Sequence, residues 1–289
     1  MLLISGTKRS GTSMWMQVMK AAGIPILGKA FPRNWGQNLR DANPDGFYES
    51  LLRQGIYFRT NPHPQTGKYF LPEHVLGYAV KVFVPGVIRS ERAYIEYVIA
   101  NVREWREYEA SILRLYAMEQ ARRDQQRAKG VDVPEPFHFP PALEWWMENF
   151  ALVRDISLRG YPALLQTYDS VLEDPAGTIG RVLGIVGRGD VEAAIAAVKP
   201  EHRTQVRPES ESVEPELARV FDDLYAAVAE RKPIADSLLR TLNATNQAML
   251  PRLARLQHEV ARSQQRMQAK AGRLGKPPDP LGIDGLPEV

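Results

Sequence analysis

The segment from Leu2 to Met19 constrains this chain most. Leu2-Leu3-Ile4-Ser5 is a short apolar run. Gly6-Thr7-Lys8-Arg9-Ser10-Gly11-Thr12-Ser13 is a polar loop carrying two glycines, and Met14, Trp15, Val18 and Met19 recur at helical spacing. A buried strand, a glycine loop and an amphipathic helix over about Thr12 to Ala22 follow from these patterns. Such a loop turns backbone N–H groups and the positive end of a helix toward one point, the physical basis of a phosphate cradle.

The same alternation continues downstream. Tyr78 to Phe83, Tyr97 to Val102 and Pro162 to Tyr168 read as further strands. Helical patterns cover about Trp105 to Lys129, Ala142 to Leu158, Pro175 to Val186 and Asp190 to Val198, and the first of these turns almost purely charged toward its end, where it should project into solvent. Strands alternating with helices predict an α/β, three-layer fold with a mainly parallel central sheet. Residues 23 to 49, with the turn Asn43-Pro44-Asp45-Gly46, read as one long irregular segment. The organisation expected is an α/β domain over 1–213, a C-terminal helical extension over 214–271, and a Pro- and Gly-rich disordered tail over 272–289. Leu242, Met249, Leu253, Leu256, Val260 and Met267 form a stripe along the extension. That stripe suits either a helix lying on its own domain or a dimerisation arm, although Pro251 interrupts it.

A length of 289 residues with 44% hydrophobic and 25% charged content supports one sizeable core. The net charge of +3 suits a small polyanion and gives no ground for nucleic-acid binding. With no cysteine, thiolate metal sites and cysteine nucleophiles are excluded, and a reducing, cytoplasmic setting is favoured. No stretch approaches the roughly 18 consecutive apolar residues of a spanning helix.

The loop lacks one residue of the nucleotide-hydrolase pattern. In G-x-x-x-x-G-K-[ST] a lysine reaches the outer phosphates, and here that position holds Thr12, while the basic residues Lys8 and Arg9 precede the second glycine. Arg9-Ser10-Gly11-Thr12-Ser13 resembles the 5′-phosphosulfate loop of sulfotransferases that use 3′-phosphoadenosine 5′-phosphosulfate (PAPS), of the bacterial type with a P-loop-like fold. That family binds the 3′-phosphate with an arginine at a strand end and a serine eight positions later on the next helix. Arg103 and Ser111 have that spacing. A dianion is well served by a guanidinium fork and a hydroxyl. A third, less specific similarity is Thr167 to Pro175 (TYDSVLEDP), which makes Tyr168 a candidate contact for the adenine base or, equally, a core tyrosine.

The resemblance covers roughly residues 1 to 190 and implies sulfuryl transfer from PAPS to a hydroxyl or amine, with no metal required. It assigns donor binding to Lys8, Arg9, Ser10, Gly11, Thr12, Ser13, Arg103, Ser111 and Tyr168, with Arg9 at the oxygen where charge develops. The family's C-terminal Arg-Lys-Gly segment is absent; the nearest basic loop is Lys199 to Arg207, which nominates Arg203 and Arg207 weakly. The histidine base of cytosolic members is also missing, because Val82 and Phe83 follow Lys81. Glu49, after the Asn-Pro-x-Gly-aromatic turn, is the favoured general base, His63 the alternative and His74 weaker; Lys81 is a possible contact to the transferred group. Two other functions stay open. One is a P-loop kinase, against which the absent lysine argues; the other is a catalytically silent nucleotide-binding scaffold acting through its C-terminal helix. The acceptor is illegible among carbohydrate, lipid, small molecule and peptide, although Phe31, Trp35, Phe47, Tyr48 and Trp145 are candidate wall residues, core packing being the better account of Trp145 and Trp146.

Overall fold

The computed structural model describes residues 1–31, 43–203, 208–232 and 234–273. Its centre is a five-stranded, all-parallel sheet in the order β2-β3-β1-β4-β5. β1 (Leu2–Ser5) leads through the loop to α1 (Thr12–Ala21), and β2 (Ile26–Leu27) forms one sheet edge. β3 (Ala79–Lys81) is followed by α2 (Val84–Arg89), and β4 (Tyr97–Val102) by α3 (Trp105–Ala128) and α4 (Pro141–Arg159). β5 (Ala163–Thr167) passes directly into α5 (Tyr168–Glu173), then α6 (Pro175–Val186) and α7 (Val191–Ala196), and α8 (Pro215–Ala229) and α9 (Asp236–Arg273) complete the chain's described helices.

The strands are apolar on both faces because both are covered. Leu2 and Ile4 of β1, with Ile99 and Leu164, pack under α1, α6 and α7 through Trp15, Val18, Ile179 and Val182. Leu3, Val80 and Val98 face the other way, against Val84 and Val87 of α2 and Leu152 of α4. β1 sends its connection toward β2 and β4 sends its own toward β5. The carboxyl ends of these two neighbours therefore bound the crevice in which open α/β sheets bind ligands. The loop after β1 and Arg103 after β4 both lie there.

A further core joins α3 and α4 to the C-terminal helices. Phe221 of α8 is fully buried, stacked on Trp146 at 5.2 Å and 9° and meeting Trp105 edge-on at 5.8 Å. Leu242, Met249 and Leu253 are buried in the same cluster, with Leu256 and Val260 packed against it. The stripe on α9 thus covers the chain's own domain, and Pro251 is accommodated within the continuous helix. No helix of the described residues is long and apolar enough to cross a membrane.

Three elements differ from the sequence expectations. β2 lies inside the segment read as irregular; its two residues pair with Ala79 and Val80, too short a run to show a period. The strand expected over Tyr78 to Phe83 stops at Lys81, since Val84-Pro85 opens a helix and proline suits a helix's first turn. α5 also went unread as a helix: Thr167 caps it by accepting a hydrogen bond from Ser170 N at 3.1 Å. The tail beyond residue 273 lies outside the described residues.

Truncating Phe221→Ala opens a cavity among three tryptophans. We expect a loss of about 3–5 kcal/mol in urea unfolding followed by tryptophan fluorescence.

Candidate functional site

The loop is shaped by two close approaches that require glycine. At Gly6 (φ 144°) an added Cβ would stand 2.4 Å from the Asn101 carbonyl oxygen, and at Gly11 (φ 93°) it would stand 2.8 Å from the Tyr168 ring and the Asn101 side-chain nitrogen. Between them Arg9 adopts a left-handed φ of 63°, a conformation that costs an L-residue about 1 kcal/mol. Ser10 closes the turn, its amide and hydroxyl both donating to the Thr7 carbonyl, at 3.2 and 2.7 Å. The Asn101 side-chain amide donates to the Ser10 carbonyl and so fastens the loop to the end of β4. Gly11 is the N-cap of α1, where no side chain caps the helix and no acidic residue occupies the first turn. The Thr12 side of this turn therefore presents backbone donors with a positive helix end behind them.

Arg9 meets the second motif. Its Nε donates to Ser111 Oγ at 3.3 Å, and Arg103 Nη1 donates to the Arg9 carbonyl at 3.1 Å. Arg103 also pairs with Glu107 at 3.4 Å and lies over the Tyr168 ring at 4.9 Å. Arg203 joins the same group, pairing with Glu107 and, at 2.8 Å, with Asp169. Burial, and then the nearby charge of Arg103, hold the Arg9 guanidinium below its usual range. Burial raises the Tyr168 hydroxyl. Arg9, Arg103, Ser111, Tyr168 and Arg203 thus form one cluster; Arg207 lies outside the described residues.

A second cluster flanks α1. The Lys81 ammonium, buried at the end of β3, donates to Ser13 Oγ at 3.2 Å, the Phe47 carbonyl at 3.1 Å and Glu49 Oε1 at 3.2 Å. Arg53 grips the other oxygen of Glu49. Burial lowers the Lys81 pKa while Glu49 opposes the change. Glu49 and Lys81 are therefore brought to the loop through Ser13. His63 is engaged elsewhere: its Nδ1 accepts from Gln65 N and Thr66 N, at 3.2 and 3.0 Å, and burial lowers its pKa. His74 likewise accepts within its own turn, from Leu71 N at 3.3 Å.

Lys8 has a different partner from Arg9. Half-exposed, it pairs at 3.5 Å with Glu144 of α4, whose other oxygen accepts from the Tyr108 hydroxyl at 2.8 Å. Trp145 belongs to the core rather than to a wall of the site, and Trp35 lies outside the described residues.

No protein-family model, no curated protein and no solved structure matches this sequence. The site therefore rests on its own geometry.

Sequence reasoning missed Asn101, Glu107, Asp169 and Glu148. A polar Asn inside the apolar run Tyr97 to Val102 was the visible signal for the first. Glu107, fully buried, and Asp169, partly buried, sit on helices where nothing local marks them as partners of an arginine cluster. Glu148 lies on α4, 8% exposed, and burial with the adjacent Glu144 pushes its pKa up to about 8 against the pull of Lys8.

Two outcomes follow. Glu49→Ala leaves the Lys81 ammonium buried without its carboxylate and should cost about 3 kcal/mol in chemical denaturation, with Lys81→Met restoring part of the loss in the double variant. Glu148 holds a proton in the folded state that the unfolded chain releases above about pH 4.5. The folded state thus binds more protons between that pH and about 8, and stability falls as pH rises through this window. Relative to Glu148→Gln, the wild type should lose about 2–3 kcal/mol of unfolding free energy between about pH 5.5 and about pH 8.5.

Proposed function

We propose that the chain is a PAPS-dependent sulfotransferase acting on a hydroxyl or amine. The observation that carries this reading is the 3.3 Å hydrogen bond from Arg9 to Ser111, which joins the loop to the strand-and-helix pair Arg103 and Ser111 across 102 residues of sequence. Two phosphate-type donor sets then sit side by side at the carboxyl ends of β1 and β4, as a ligand anionic at both its 5′ and 3′ positions requires.

The residues present fit such a group. The uncapped first turn of α1 and the Gly11 conformation offer backbone donors to the 5′ end. Arg103 and Ser111 offer a guanidinium and a hydroxyl to the 3′-phosphate, and Tyr168, beneath Arg103, offers a ring face to the base. When bound, the donor supplies a sulfuryl group already activated by its link to phosphate.

In this reading Arg9 stabilises the charge that builds on the departing oxygen, a role in which a fixed cation in a partly buried site is most effective. Ser13 and Lys81 form the opposite wall, and Glu49, tied to both Lys81 and Arg53, holds the ammonium in place. Ser10 acts through loop shape, its hydroxyl being spent on Thr7. Arg203 braces Glu107 and Asp169 around the nucleotide side.

Titrating 3′-phosphoadenosine 5′-phosphate by calorimetry, without magnesium, tests the proposal. The wild type should bind, Arg9→Ala and Arg103→Ala should each weaken binding at least ~10-fold, and Arg127→Ala, at the far end of α3, should leave it unchanged. A wild type that does not bind the nucleotide overturns the reading.

A further inference from the structure

Helix α8 sends two side chains, one turn apart, to the segments that leave β4 and β5. The Asp222 carboxylate accepts from the Trp105 indole at 2.8 Å and from Arg106 at 2.7 and 3.1 Å, which ties α8 to the first turn of α3, just after Arg103. The Tyr225 hydroxyl donates to Asp169 Oδ2 at 2.8 Å. Asp169 follows Tyr168 in α5, and its other oxygen, Oδ1, pairs with Arg203 at 2.8 Å. One helix thus holds both segments that carry the nucleotide cluster.

Tyr225 begins a row of partners. Its hydroxyl engages one oxygen of Asp169 and Arg203 engages the other; Arg203 also pairs with Glu107 Oε1, and Glu107 Oε2 pairs with Arg103 at 3.4 Å. Glu107 is therefore shared by two arginines, whereas Asp169 pairs with no cation but Arg203 among the described residues. The direction of the Arg203 fork depends on how Asp169 is held. Burial, and then the charge of Asp169, raise the Tyr225 pKa, so the phenol stays a donor. The Tyr225 ring packs on the core around Trp105 and Phe221, where a phenylalanine would serve as well; the hydroxyl serves Asp169. A hydroxyl donating to a carboxylate is among the stronger neutral-to-ion hydrogen bonds. An arginine already held in direction loses less rotamer freedom when it grips a ligand than one that must be ordered at that moment.

We propose that Tyr225 is a positioning residue of the donor site, its hydroxyl fixing Asp169 so that Asp169 aims the Arg203 guanidinium at the nucleotide beside Arg103; this rests on the sulfuryl-transfer reading. The ligand group this arrangement serves is the 3′-phosphate, a dianion that can draw on two guanidinium groups at once. Glu107, paired with both, keeps the two adjacent. The C-terminal helices thereby take part in donor recognition, beyond the residues that the family resemblance covers.

The test titrates 3′-phosphoadenosine 5′-phosphate into the full chain by calorimetry, as a double-mutant cycle between positions 225 and 203. Tyr225→Phe should weaken binding about 5-fold and Arg203→Ala about 10-fold. Tyr225→Phe added to Arg203→Ala should change the affinity by less than about two-fold, an interdependence that a general loosening of the fold would not produce. Asp169→Asn, which keeps the shape of the side chain, should weaken binding as Tyr225→Phe does. The proposal is overturned if Tyr225→Phe or Arg203→Ala binds the nucleotide like the wild type, or if the Tyr225→Phe loss persists in full without Arg203. Tighter binding by Asp169→Asn also overturns it, since the carboxylate would then oppose the phosphate rather than aim its partner. A wild type that binds no nucleotide would remove the sulfuryl-transfer reading itself, and this role with it.

Discussion

A side-chain amide holds the site together. Asn101, fully buried at the end of β4, donates to the Ser10 carbonyl and so anchors a loop that leaves a different strand. Parallel pairing of β1 with β4 brings the two strand ends level, Ser5 opposite Ala100, so that the anchor reaches its acceptor. The glycines at 6 and 11 follow from that closeness, since a side chain at either would strike Asn101. With the loop fixed, Arg9 must turn to positive φ, which carries its side chain toward Ser111 rather than into solvent.

Electrostatic placement follows the same logic. Arg103 and Arg203 converge on Glu107, a carboxylate with no exposed surface, and Asp169 takes the second contact of Arg203. A buried carboxylate of this kind is tolerated because its cations and hydrogen bonds are arranged around it. It also holds two guanidinium groups in fixed directions beside Tyr168. On the other flank of α1, Lys81 is treated alike: buried, it is paired with Glu49 and oriented by Ser13 and the Phe47 carbonyl.

Much of this was legible in the residues. The strand over Tyr97 to Val102 and the helix over Pro175 to Val186 coincide with the expected bounds, because a bounded apolar run and a Pro-to-Gly bracket leave little freedom. The loop, Arg103 and Ser111 declared themselves by residue type and spacing, and their convergence depended only on β1 and β4 being neighbours. What stayed hidden was decided by tertiary context. β2 exists only by pairing with β3, and α2 packs so closely on residues 53 to 55 that Gly86 admits no Cβ. Burial of Glu107 and Glu148 depends on helices distant in sequence, so their surroundings leave no local trace. The stripe on α9 was readable as a stripe, but only the tryptophans on α3 and α4 determine what it covers.

Those tryptophans connect the ends of the molecule. The Trp145 indole donates to the Arg103 carbonyl at 2.7 Å, and Trp105 donates to Asp222 of α8 at 2.8 Å. Phe221, next to Asp222, is wedged against both rings. Arg103 is thus positioned from behind by a layer that α8 and α9 complete. By reciprocity, whatever ligand grips Arg103 tightens the seating of the C-terminal helices to the same extent that their seating improves its grip. The two ends of the chain therefore share one folding equilibrium with the site between them.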